Sequence, residues 1–147
     1  MANALTPRRW SLSDLSPAAA SVGLARRELA GVLGEWEAEQ HEWVLTQLVS
    51  ELATNVVLHA GTPFAVTLTW DGELLRAEVS DDDPRPPRTR SYAVDATTGR
   101  GMRLVERLSR RWGVERRPDG KTVWFELDGT PGEDAFDVEA LLAEPAA

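Results

Sequence analysis

Residues 64–79 constrain the fold more tightly than any other stretch. Phe64, Val66, Leu68 and Trp70 alternate with Ala65, Thr67 and Thr69, and a period of two sends the two sets to opposite faces of a strand. Asp71-Gly72 follows as a two-residue hairpin turn signal. Leu75, Ala77 and Val79 then resume the apolar face on the return strand. A strand pair with one apolar face needs a second layer to cover it, and the rest of the chain has to supply that layer. In the same register Asp81 falls on the apolar face, just where the return strand ends.

Helical spacing supplies the cover. Ser16-Pro17 reads as an N-cap followed by Pro at the first helical position. Ala18, Val22, Ala25, Leu29 and Leu33 follow at helical intervals, up to Gly34. From about Glu39 to Ala60, Val44, Leu45, Leu48, Leu52, Val56 and Ala60 form one apolar stripe. Gln47, Glu51, Asn55 and His59 recur every fourth residue beside it, and residues four apart stack on a helix. Gly61-Thr62-Pro63 stops that helix. Residues 7–12 read as a short first strand. Residues 82–98 have no periodicity and three prolines, the pattern of a lid or a disordered connection. Thr97 to Gly101 lead into a third helix with Met102, Leu104, Val105 and Leu108 on its apolar side and Arg107, Arg110 and Arg111 on its basic one. Residues 112–117 and 121–127 form a last hairpin around Pro118-Asp119-Gly120, with Val123, Phe125 and Leu127 towards the core.

The expected architecture is therefore an α+β two-layer sandwich, a mostly antiparallel sheet with the helices on one face. One domain covers 1–128, with a lid at 82–98. Residues 129–147 are acidic and Ala/Pro-rich and read as an extended or frayed tail, with room for a short helix at 136–143. Of the six tryptophans, Trp10, Trp70 and Trp124 read as core, and Trp36 and Trp43 as packing or a partner surface.

Composition removes several function classes. The chain has no cysteine and two histidines, which excludes disulfides, thiol chemistry and a His-rich zinc site. Its single lysine, Lys121, is not in a P-loop string, so a phosphate site must use backbone amides, Arg or a metal. The net charge of -8 argues against general nucleic-acid binding. No apolar run approaches the roughly 18 residues that span a membrane, and the first residues lack the apolar core of a signal peptide. A cytoplasmic protein is expected.

Three places break the bland pattern. Asn is a poor residue in mid-helix, yet Asn55 sits one turn after Glu51. A carboxylate and a carboxamide so placed offer a base and an oxygen ligand for Mg²⁺; a solvated polar face has the same spacing. Asp81 in core register requires a partner. An adenine amino group is one, and the turn that follows is another. Gly99-Arg100-Gly101 beside a helix start suits close approach of phosphate to free amides, or is a flexible helix entry.

Taken in order, helix Glu/Asn, strand-end Asp, proline-rich lid, Gly-x-Gly helix and a final strand with Gly120-Lys121-Thr122 resemble the GHKL (histidine-kinase-like) ATPase superfamily and its Bergerat fold. SELATNVVLHA resembles its N box, Asp81 the Asp of its first glycine box, and Gly99-Arg100-Gly101 its second. With TGRGMRLVERLSRRWG and GKTVWFEL, the resemblance over about residues 7–128 is to stand-alone anti-sigma-factor serine/threonine kinases. It implies ATP and Mg²⁺ as cofactors. Asn55 would hold Mg²⁺, Glu51 would be the general base, and Asp81 would accept from adenine. The amides of Gly99, Gly101 and Met102 would cradle phosphate, and Thr122 would support the adenine side. The implied partners are a STAS-type anti-sigma-factor antagonist, phosphorylated on serine, and a sigma factor. Homodimerisation through the sheet edge and residues 7–12 is also implied. The family's first glycine box commonly runs Asp-x-Gly-x-Gly, whereas Asp81-Asp82-Asp83-Pro84-Arg85 has no glycine. A non-catalytic binding module on the same fold is the alternative that this departure keeps open, and a plain interaction domain with no nucleotide site is the third reading.

Overall fold

The structure, a computed structural model, describes residues 6–85 and 96–128, with 96–101 as backbone. Its elements are β1 (Arg8–Leu15), α1 (Ala19–Glu35), a 3-10 turn (Glu39–His41), α2 (Glu42–Asn55), a π turn (Val56–Ala60), β2 (Phe64–Trp70), β3 (Leu74–Asp81), α3 (Ala96–Leu108), β4 (Arg111–Arg117) and β5 (Gly120–Asp128). The five strands form one sheet in the order β1-β2-β3-β5-β4, and every neighbouring pair is antiparallel. Phe64, Val66, Leu68 and Trp70 on β2 and Leu75, Ala77, Val79 and Asp81 on β3 are buried, as the alternation predicts. Val123, Phe125 and Leu127 of β5 join them. The three helices cover this face, with α2 between α1 and α3. The α+β two-layer sandwich is the observed fold.

Several local expectations change. Ser16-Pro17 does not cap α1. The helix begins at Ala19 after Ala18 as N-cap, because the Ser16 carbonyl already accepts the Ala18 N–H at 2.8 Å in a tight turn. The β2–β3 connection holds three residues instead of two. Asp71 Oδ1 accepts both the Glu73 and Leu74 N–H at 2.8 and 2.7 Å, and Gly72 takes φ 96° between them. Those same bonds hold the Asp71 carboxyl below its usual range. β1 runs to Leu15 instead of residue 12, through an irregularity at Asp14, where φ is 58°. Trp124 is not core. It lies on the open face of the sheet under the Arg76 guanidinium, 4.2 Å from the ring centre. Trp36 packs against the core from its edge. Residues 86–95 of the expected lid and the expected tail lie outside the described residues.

Gly120 is required where it stands. A Cβ there would lie 2.1 Å from the Asp81 backbone oxygen. The start of β5 and the end of β3 are thereby brought into close approach, with Lys121 paired directly opposite Asp81 in the ladder.

Candidate functional site

A cavity of about 70 Å³ opens between the end of α2, the π turn and the ends of β3 and β5. Leu52, Val56 and Ala60 line it from the helix side, and Val79 and Val123 from the sheet. The π turn shapes one wall. The Gly61 N–H reaches back five residues to the Val56 carbonyl at 2.8 Å, so the fourth-residue stripe through Gln47, Glu51 and Asn55 is interrupted after Asn55. Such single π turns occur often at functional sites. Asn55 and His59 both line the cavity nonetheless. The His59 Nε2 is buried and has no hydrogen-bond partner among the described residues, a costly condition for a polar atom unless a further group completes it.

Four charged side chains close the far end of the cavity. The Lys121 ammonium lies 3.1 Å from Asp81 Oδ2 and 3.2 Å from Oδ1, and donates to the Asp83 carbonyl at 3.0 Å. Both side chains of this ion pair are almost wholly removed from solvent, at 7% and 2% exposure. Asp81 Oδ1 also accepts the Asp83 N–H at 2.8 Å. Asp83 is gripped in turn by Arg85. Its carboxylate accepts from Arg85 Nε at 3.0 Å and Nη2 at 2.7 Å, and from the Arg85 backbone N–H at 3.0 Å. These bonds, the guanidinium's first, bring the Asp83 carboxyl down to about 2. A further Arg85 N–H reaches the His59 carbonyl at 3.1 Å and ties the loop to the π turn. Asp82 is exposed, with its N–H on Thr62 Oγ1. The run of three carboxylates therefore places two towards the cavity, each beside its own cation.

The family model "Histidine kinase-like ATPase domain" matches residues 15–127. The chain belongs to that family. The "Uncharacterized protein SCO4941" of Streptomyces coelicolor is 37% identical over 91 residues, covering 58% of this chain and 87% of the relative. Among the described residues of this histidine kinase-like ATPase domain, no helix is long and apolar enough to cross a membrane.

The domain brings Asn55 and Asp81 to one cavity, as the sequence reading expects. Glu51 is half-buried one turn before Asn55 and accepts a bond from Gln47 Nε2 at 3.3 Å. Two expectations are corrected. Thr122 faces away from the cavity. Strand alternation sends it to the open face, where its hydroxyl meets Ser80 Oγ at 2.7 Å and accepts from Arg117 Nη1 at 2.6 Å. Gly99, Gly101 and Met102 do not precede α3. The helix begins at Ala96, so Gly101 and Met102 fall in its second turn, where amides are bonded within the helix instead of free. A glycine in a helix interior costs about 1 kcal/mol, which burial of Met102, Leu104, Val105 and Leu108 outweighs.

Lys121, Asp83, Arg85 and His59 are the cavity residues that the sequence reading passed over. Lys121 left a signal. It shares the alternation of Val123 and Phe125, so the chain's single lysine points inward and needs an anion there. Asp81 is the anion in the same register.

ATP is the ligand against which a domain of this family is judged. The cavity has apolar walls from both layers, as a planar base requires, with a carboxylate on its lining and an imidazole nitrogen that has no partner among the described residues. Asn55 offers one amide oxygen to a cation. No group of three or more His, Asp or Glu side chains gathers around a point among the described residues. Magnesium at Asn55 would draw its other oxygens from phosphates and water, as Mg²⁺ commonly does.

Proposed function

We propose that this domain binds Mg-ATP in the cavity beneath α2 and acts as a stand-alone anti-sigma-factor serine/threonine kinase. The observation that carries the reading is the convergence of Asn55, from the helical layer, and Asp81, from the sheet, on one apolar-walled cavity. Asp81 accepts from the base, and Asn55 supplies the cation ligand. Glu51, one turn before Asn55, takes the proton from the attacking serine hydroxyl of an anti-sigma-factor antagonist as the phosphoryl group transfers and ADP leaves. Sequestering of a sigma factor when the antagonist is phosphorylated completes the switch.

The test is calorimetric titration with Mg-ATP, with Mg-GTP and Asp81→Asn as controls. Adenine-selective, magnesium-dependent binding that is lost in the variant supports the reading. No binding to folded protein refutes it. Glu51→Ala should abolish transfer to serine while leaving ATP binding within about twofold, since a general base contributes to the transferring state.

One observation favours a second reading, a non-catalytic partner-binding module. The loop after Asp81 is held by its own side chains, Asp83 to Arg85 and Asp81 to Lys121, without the glycines of the family pattern. Partner binding indifferent to ATP, with no transfer to serine, distinguishes it.

A further inference from the structure

The residue that pairs with Asp81 has no role in the reading above, and its surroundings give it one. We propose that Lys121 is a second base-reading residue, which donates to an unprotonated ring nitrogen while Asp81 accepts from the neighbouring exocyclic amino group. The ligand class is a 6-aminopurine nucleotide, and the inference rests on the ATP reading.

The argument is one of unspent hydrogen-bonding capacity. An ammonium has three N–H donors, and an ionised carboxylate accepts at about four lone pairs. Lys121 donates to the Asp83 carbonyl and to Asp81 Oδ1, while its contact with Asp81 Oδ2 at 3.1 Å is an ion pair without a hydrogen bond of its own. The described bonds leave the third, and Lys121 lines the cavity. Asp81 Oδ1 accepts from the Asp83 N–H as well as facing Lys121, while Oδ2 meets Lys121 alone. One donor and at least one acceptor thus remain side by side at the end of a slot walled by Val79, Val123, Leu52 and Val56. A six-membered ring with an amino group next to a bare nitrogen presents the complement of that pair. The ammonium is held in place before any ligand arrives by its bonds to Asp81 and Asp83, and Lys121 follows Gly120, whose position admits no side chain. A lysine serving only as a counterion needs no place on the cavity wall.

The test compares Mg-ATP with the ATP analogue whose N1 is replaced by C–H, by calorimetry on the full chain. A hydrogen bond from a charged donor is worth a factor of roughly ten to a hundred in affinity, so the wild-type protein should bind the analogue more weakly by that factor. Lys121→Met should bind ATP more weakly and no longer tell ATP from the analogue, and Lys121→Gln, which keeps a donor, should regain part of the difference. The wild-type comparison needs no variant and stands even if Lys121→Met fails to fold. Equal affinity for ATP and the analogue in the wild type overturns the role of Lys121 and leaves the ATP reading intact. Tighter ATP binding by folded Lys121→Met does the same, by showing that the lysine obstructs the slot. No binding of either nucleotide to folded wild-type protein overturns both.

Discussion

The two faces of the sheet each carry a cluster of charge between β3 and β5, and the clusters differ in what surrounds them. On the open face Arg76 lies over Trp124 and reaches Glu78 at 2.8 Å and Glu126 at 3.3 Å, while Arg111 reaches Glu126 at 2.9 Å. Most of its members keep contact with water, and cross-strand neighbours supply the partners. The two guanidiniums, Arg111's first, hold the Glu126 carboxyl below its usual range. On the covered face Lys121 and Asp81 are sealed among apolar side chains at the end of a cavity. Burying an ion pair costs about as much as it returns, and apolar residues of like volume commonly serve stability as well or better. The open-face cluster is explained by its strand neighbours alone. The covered one is explained only when the cavity beside it is counted.

That contrast can be broken most sharply by removing one charge from each cluster. Lys121→Met leaves a buried carboxylate without its cation and should cost about 3–5 kcal/mol in a urea titration. Glu126→Gln keeps the shape and a hydrogen-bond acceptor, and its partners Arg76 and Arg111 keep contact with water although Glu126 itself is buried, so it should cost about 1 kcal/mol. Equal losses would mean that the two clusters do not differ in kind. Two crowded glycines among the described residues make the next comparison. Gly120→Ala drives a methyl into the Asp81 backbone, which cannot swing away, and should cost about 2–3 kcal/mol in thermal or urea melts. At Gly113 the three atoms nearest a new methyl all belong to the Trp124 ring, the first 2.7 Å away. Gly113→Ala should cost about 1 kcal/mol and be visible as a change in tryptophan fluorescence as the ring leaves Arg76. The smallest effect is with pH. Asp83 has a folded value of about 2 against an ordinary 3.8, so it binds its proton less readily when folded. Its contribution is present above pH 4 and is lost as pH falls towards 2. Arg85→Gln should flatten that part of the urea-midpoint profile, and a profile unchanged by the variant would sever Asp83 from Arg85.

The period-two pattern of residues 64–79 carried the sheet, its buried face and the inward placement of Asp81, because alternation depends on nothing beyond the strand itself. Asn55 was legible for a similar reason, as an amide at a helical position that disfavours it. The π turn was not, since Val56 to Ala60 continue the apolar spacing and one widened turn changes no residue type. The start of α3 was misplaced because two glycines are local signals, and the burial that overrides them is tertiary. Thr122 and Lys121 exchange roles on the simple parity of β5. The family resemblance implies a role for the hydroxyl, whereas alternation with Val123 and Phe125 sends the ammonium inward. Asp83 with Arg85 was beyond sequence reading, as a tight contact between residues two apart in an irregular segment leaves no periodic trace.

Lys121 is the single lysine of the chain, and its amine is enclosed. To an amine-selective reagent the protein therefore presents one side-chain target, shut away at the floor of the cavity. The rate at which that target is modified, read as a mass increment on one peptide, measures how often the floor opens, and slowing by a nucleotide would report occupancy without any label being engineered into the chain.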